Sequence, residues 1–445
     1  MKLEVIKSYT LAILVGISLM LSFSLWSYQP KDKDEMLDDE NELLNEEQIN
    51  LGGEEETRKS LVQPTQIIFD INDTYYGFTS PVNRQILYED MTSWVLYNLH
   101  ISEANGPPNH ENQVEVIYPD ELPLAIVPSL FTVNDMEQVN NIEGDFSFQR
   151  FYITFQSDHS LSFTFLSTDG KTQLTAEVNN AQKHNLLLNY VSTLENLEEY
   201  AMLEKEASPI YLPAGPIKAL GYKGLMSKLE PEILKNALFK DPLGVYETKS
   251  VENEIWYQDS LRSMQVFDNE LNMSFIHPQE TQNINAVTFL ELFDQSIAKI
   301  NGYKGWVEDF YLESINLMNI RYQMHYRGYP VFNYEGLATI EQKWVNNELE
   351  EHRQPLYKIS RTGTVSDQTY QLDSGEAIIS YIKDNPTYEL EKVEDIQIGY
   401  RLGYQITTDE YAEAITLSLT PGWFIKIEGD WVQVNLDEEQ RKGVS

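Results

Sequence analysis

Chemistry at neutral pH draws on a short list of side chains, and this chain offers few of them in spacings that chemistry needs. It has no cysteine, which excludes a thiolate nucleophile, a thiolate metal site and any disulfide. Its seven histidines stand at positions 100, 110, 159, 184, 277, 325 and 352. No two lie three or four apart, so no helix face presents a histidine pair to zinc, and a histidine site would need convergence of distant segments. There is no G-x-S-x-G nucleophile elbow, no H-E-x-x-H, no P-loop, no glycine-rich dinucleotide fingerprint and no EF-hand loop. Asp and Glu total 70, so carboxylates lying near one another are expected by chance, and abundance alone does not argue for a glycosidase-type pair. No residue is assigned to catalysis, a cofactor or a metal, and the expectation is a protein that is not an enzyme.

The residues with the clearest physical reading lie at the N-terminus. Ser8 to Pro30 carries no charged side chain, and Tyr9 to Trp26 is apolar apart from scattered Ser, Thr and Gly. About 20 apolar residues in a helix span a bilayer core. Lys2 and Lys7 precede the run, and Lys31-Asp32-Lys33-Asp34-Glu35 follows it, which places the N-terminus inside. Trp26 and Tyr28 suit the outer aromatic belt. The run is longer than a secretory h-region, and bulky Leu25 and Trp26 follow the small-x-small triplet Ser22-Phe23-Ser24. The expectation is a retained single-pass anchor: a cytoplasmic tail over 1–8, a transmembrane helix over 9–28 and an extracellular remainder. Ala12 and Gly16 are four apart, as are Ser18 and Ser22. Each pair is a small-xxx-small step that lets two membrane helices approach closely, and these four residues are the candidate helix contact.

The elements beyond the anchor follow from composition and pattern. The net charge is −38, which rules against electrostatic binding of nucleic acid or an anionic membrane surface. Residues 29–63 are acidic and free of aromatics, and read as a linker. Residues 64–208 read as a mixed α/β domain. Its strands include 67–71 and a hairpin of 145–155 with 161–166; its helices are 81–99, with Ser80 as cap, and 181–203. Strands at 114–118 and 124–133, interrupted by Pro119, Pro123 and Pro128, are expected at an edge or in loops. After the break at Leu212-Pro213, a pattern of one helix followed by three or more antiparallel strands appears three times, with helices at 225–239, 287–300 and 375–383. The expected class is α+β: helices packed on antiparallel sheets, with a central domain over 209–300 and a C-terminal domain over 301–445 of similar topology.

Several of these segments resemble, in order and spacing, the YycH-type regulatory proteins of Gram-positive bacteria. The set comprises Leu25-Trp26-Ser27-Tyr28-Gln29-Pro30, Leu212-Pro213 with Pro216-Ile217-Lys218, Leu238-Phe239-Lys240-Asp241-Pro242, Tyr257-Gln258-Asp259 with Arg262, and Ile276 to Pro278. The resemblance implies an accessory regulator of the YycFG (WalRK) two-component system that controls cell-wall metabolism. It implies action on the sensor histidine kinase (YycG, also called WalK) with a YycI-like single-pass partner, through transmembrane and extracellular contacts. It also implies an N-terminal domain followed by two domains of like topology, and no catalytic residues. The rival reading is an extracellular wall-binding or wall-modifying protein, with Trp306, Trp423 and Trp431 as sugar-stacking candidates.

Overall fold

The computed structural model describes residues 49–134, 146–205, 208–279, 288–360, 368–408 and 413–434. The expected anchor over 9–28, with Ala12, Gly16, Ser18 and Ser22, and the N-terminal part of the expected linker lie outside the described residues.

Among the described residues, ten strands form a first sheet: β1 (Gln66–Ile71), β2 (Thr74–Phe78), β3 (Val95–Glu103), β4 (Asn112–Pro123), β5 (Thr132–Val133), β6 (Ser147–Phe155), β7 (Leu161–Leu166), β8 (Thr172–Val178), β9 (Leu197–Leu203) and β10 (Ile210–Pro213). Their spatial order is β10-β9-β2-β1-β4-β6-β7-β8-β3-β5. Helices α1 (Arg58–Leu61), α2 (Pro81–Met91), α3 (Val127–Leu130) and α4 (Ala181–Thr193) accompany it. Alternation in β6 and β7 sends Phe151, Phe163 and Phe165 into one cluster with Phe131 and Phe148. Ring centroids there lie 5.0 to 6.0 Å apart in mostly edge-on or tilted pairs, the geometry that adds to simple area burial.

The second sheet begins with β11 (Ile217–Lys228). It continues through the meander β12 (Tyr246–Lys249), β13 (Ile255–Gln258), β14 (Ser263–Val266) and β15 (Asn272–Ile276). Then come β16 (Asp309–Ile315), β17 (Asn319–Tyr326), β18 (Tyr329–Phe332), β19 (Thr339–Val345), β20 (Glu348–Pro355), β21 (Tyr357–Ile359) and β22 (Gln368–Leu372), and finally the long β23 (Val393–Thr408), β24 (Glu413–Ile427) and β25 (Asp430–Val434). Helices α5 (Pro231–Leu238), α6 (Phe289–Asn301) and α7 (Gly375–Asp384) each precede a run of antiparallel strands, so the threefold helix-then-strands order is present. Local chemistry sets these helices. Thr288 and Glu291 close a reciprocal capping box on α6. The Ser374 hydroxyl accepts from the Ala377 amide at the start of α7, and Pro231 opens α5.

Strand pairing crosses the boundaries expected from sequence. Residues 51–63 are not linker. The amides of Leu51, Gly53 and Glu54 donate to the carbonyls of Tyr303, Lys304 and Trp306 at 3.0, 2.9 and 3.1 Å, and Leu51, Leu61 and Val62 are buried. Few apolar residues suffice here because a strap hydrogen-bonded along its backbone needs little core of its own. The boundary at 208 moves past β10, which pairs with β9 in the first sheet. A boundary at 300 is absent, because β15 pairs with β20 over Asn272–Ile276 and makes one continuous sheet from both sides of it.

Three helices are shorter than the apolar spacing predicts. The stretch 81–99 is α2 and then β3, and Ser80 makes no side-chain cap bond. The stretch 181–203 breaks at Leu194, whose left-handed φ of +53° ends α4 before β9. The stretch 225–239 is the end of β11 followed by α5. In each case an apolar strand abuts a helix, and apolar spacing alone does not separate the two. The strand expected at an edge around 114–118 is interior, between β1 and β4's other neighbour β6. A register shift between Ile117 and Leu122 carries Pro119 past the ladder.

The edge strand β10 and its neighbour β9 are covered by the second half of the chain. Leu203, Ile210 and Leu212 pack with Ile378, Ile379 and Ile382 of α7, Val393, Ile396 and Ile398 of β23, and Trp423 and Ile425 of β24. Leu212→Ala should cost about 2–5 kcal/mol, as a cavity in a closed core does, while Leu317→Ala, at 81% exposure, should change stability by less than about 0.5 kcal/mol. Urea denaturation reads both; equal midpoints for the two variants would show that this seam contributes nothing.

Candidate functional site

Where the two sheets meet beside this shared core, they leave a cavity of about 110 Å³. The first sheet contributes Ile67, Ile68, Phe78 and Tyr200, and α2 contributes Pro81 and Arg84. The second contributes Tyr311, His325, Tyr329, Ile396, Ile398 and Trp423. Helix α2 carries Arg84 one turn in from its start, so the guanidinium reaches across the seam. One Nη donates to the Thr65 carbonyl of the first sheet's entry, and the other donates to the Gly328 carbonyl at 3.1 Å, in the β17–β18 turn. That turn needs glycine: Gly328 has φ +78°, and a Cβ there would lie 2.6 Å from the Cβ of Pro81.

The electrostatics of the cavity follow from enclosure. Burial holds the Arg84 guanidinium below its usual basicity and pushes the Tyr311 phenol up to about 12 and Tyr329 in the same direction. His325 is lowered to about 4, chiefly by burial, with its Nδ1 3.0 Å from the Gln323 carbonyl and its ring 4.7 Å from Tyr311. Burial likewise raises Glu198 and Asp395. Arg84, with two backbone carbonyls as acceptors, contrasts with Arg150. There Glu115 accepts from the guanidinium at 2.6 Å and also from the hydroxyls of Tyr152 and Tyr211 at 3.3 and 2.9 Å.

A second concavity, of about 790 Å³, lies over the open face of the second sheet. Register places Gln265, Ser274, Arg353, Glu341 and Arg321 side by side across β14, β15, β20, β19 and β17. The β24–β25 hairpin and Tyr334 form its far wall.

The candidates from sequence fall as follows. Trp306 and Trp423 are 3% and 4% exposed and offer no face to a sugar; their indole N–H groups donate to Asn301 and to the Asp373 carbonyl. Trp431 stacks on Phe332 at 4.9 Å and donates to Glu313. His159 and His184 meet edge to face at 5.4 Å, but among the described residues no group of three or more metal-ligand side chains converges. The segments of the family resemblance that lie among the described residues hold structure. Asp241 caps the turn at Pro242–Gly244, Asp259 accepts from the amides of Leu261 and Arg262, and Leu212 sits in the seam. Arg84 carried no signal in the sequence, since a lone arginine on a helix is ordinarily a solvated one.

Two family models match the chain: the YycH protein N-terminal domain over residues 4–195 and the YycH protein C-terminal domain over residues 207–441. The chain is 20% identical over 467 aligned residues to the two-component system WalR/WalK regulatory protein YycH of Bacillus subtilis (strain 168), covering 100% of this chain and 99% of that relative. The crystal structure of YycH from Bacillus subtilis superposes with a TM-score of 0.71 at 16% identity, covering 87% of this chain and 100% of that one.

His352 of β20 reports on the packing of the second sheet. It is fully buried, its Nε2 lies 3.0 Å from the Tyr303 hydroxyl and 2.9 Å from Gln354 Oε1, and burial lowers it to about 4. The unfolded chain takes up that proton near pH 6.5 and the folded one only near 4. Stability is therefore intact above pH 6.5 and falls as pH drops toward 4, with a share for His352 on the order of 3 kcal/mol. Melting temperatures of the native chain and of His352→Gln should converge as pH falls from 7 to 4; a constant gap would contradict a neutral buried imidazole.

Proposed function

The chain belongs to the YycH family, and on that premise we propose that it is an accessory regulator of a WalR/WalK-type two-component system, acting on the sensor histidine kinase. The observation that carries this is the match from end to end with a relative named as a WalR/WalK regulatory protein. In the proposed arrangement the helix over 9–28 anchors the chain with its N-terminus inside, and the sheets stand outside the cell. A YycI-like single-pass protein shares the assembly, and the output is control of cell-wall metabolism.

The mechanism is differential binding. A kinase with two signalling states changes its balance only if a partner prefers one of them, and about 1–3 kcal/mol of such preference is typical of coupled sites. Contacts at two levels supply it: small residues at Ala12, Gly16, Ser18 and Ser22 let the anchor pack closely on another membrane helix, and the extracellular body holds the ectodomain of the partner. A body whose two sheets share the core of Leu212, Ile378 and Ile396 moves as one piece, which supports transmission between the levels. The wall-binding reading is weakened by the burial of Trp306 and Trp423.

Kinase autophosphorylation in proteoliposomes, with and without the full-length chain, tests the proposal. The double substitution Gly16→Leu with Ser18→Leu should move the rate back toward that of the kinase alone by most of the coupling, about 5-fold or more, at unchanged protein level. A native chain that leaves the rate untouched while binding purified peptidoglycan would replace this function with the wall-binding one.

A further inference from the structure

Arg84 is part-buried in the seam, yet no carboxylate oxygen among the described residues lies within ion-pairing distance of its guanidinium; its acceptors are the carbonyls of Thr65 and Gly328. Desolvating a cation even in part is costly, so a part-buried charge gains from a partner, and Arg150 with Glu115 shows the same chain supplying one. A guanidinium has five N–H donors in a planar fork, so three remain beyond the two carbonyls. Around it, Tyr311 and Tyr329 line the cavity and their hydroxyls make no hydrogen bond among the described residues, although each ring has an aromatic neighbour: His325 at 4.7 Å for Tyr311 and Tyr400 at 6.1 Å for Tyr329. Fixed rings with open hydroxyls beside an uncompensated guanidinium form a preorganised set of donors for one anionic group.

We propose that this interdomain cavity binds a small monocarboxylate, held by the Arg84 guanidinium and the hydroxyls of Tyr311 and Tyr329. Size and charge narrow the class. An apolar cavity of about 150 Å³ accepts benzene, so about 110 Å³ suits a smaller molecule, such as propionate or lactate. Ile67, Phe78 and Ile398 supply an apolar wall for its short tail. The same cavity is lined by Glu198, Glu313 and Asp395 against Arg84 and Lys426. Glu313 is taken by Arg321 at 2.8 Å, which leaves two carboxylates against two cations, a neutral lining that tolerates one negative charge opposite Arg84 better than a phosphate dianion. Because Arg84 grips Thr65 on one side and Gly328 on the other, such a ligand would sit across the seam of the two sheets. The inference concerns a ligand of the folded body and stands apart from the kinase partnership.

The test uses the full-length protein in detergent, titrated with propionate, with its neutral isostere propionamide and with inorganic phosphate, read by calorimetry and by the thermal midpoint. Saturable binding of propionate, at least tenfold tighter than propionamide and phosphate, is expected. Arg84→Gln should abolish it. Tyr311→Phe with Tyr329→Phe keeps both rings and should weaken binding tenfold or more while the propionate-free midpoint stays within a few degrees, so the idea remains testable if Arg84→Gln misfolds. Equal response to propionate and propionamide, tighter binding of phosphate, no binding at all, or full binding by the double phenylalanine variant would each overturn the proposal.

Discussion

The structure depends on how the open edge of the first sheet is closed. Strand β10 ends that sheet and presents Ile210 and Leu212 beside Leu203 of β9, an apolar edge that invites aggregation if left in water. Helix α7 and strands β23 and β24, more than 160 residues further along the chain, supply the cover. Their own apolar stripe, Ile378, Ile379 and Ile382 with Ile396 and Ile398, is buried by the same contact. Neither half finishes its core without the other, so the two sheets form one compact unit.

The cavity follows from that closure. Once α7 and β23 are set against β9 and β10, the β17–β18 turn lies beside the start of α2, and Arg84 meets the Gly328 carbonyl. The close approach of Pro81 to Gly328 leaves no room for a side chain there, while Tyr311 and Tyr329 line the space beside them. A polar pocket walled by two sheets is sensitive to their relative position in a way that a pocket within one sheet is not.

The strap over 51–63 gives the chain an unusual order of contact. It pairs first with Tyr303, Lys304 and Trp306 of the second sheet's side, with Arg58 bridging to Asp294 of α6, and only then enters β1. On the proposed membrane-anchored reading, a pull on the anchor reaches the second half of the body before the first. The acidic residues Glu54, Glu55 and Glu56 gave the segment the look of a solvated linker, because composition averages over side chains while packing depends on where Leu51 and Leu61 point.

Local signals in the sequence were sufficient for elements with local causes. The β6–β7 hairpin, the capped helices α6 and α7 and the meander of β13 to β15 were all legible, since turn residues, caps and alternation act over a few positions. The family was legible from ordered short segments, and those among the described residues cap turns and fill the seam. The ends of α2, α4 and β11 were not, because each abuts an apolar element of the other type. The sheet continuous across residue 300 and the interior place of β4 were hidden because pairing partners are chosen by the whole fold. The candidate site was hidden for the same reason: Arg84, Tyr311 and Tyr329 lie up to 245 positions apart. Their meeting, and the missing carboxylate that makes it chemically notable, exist only once the two sheets have closed on each other.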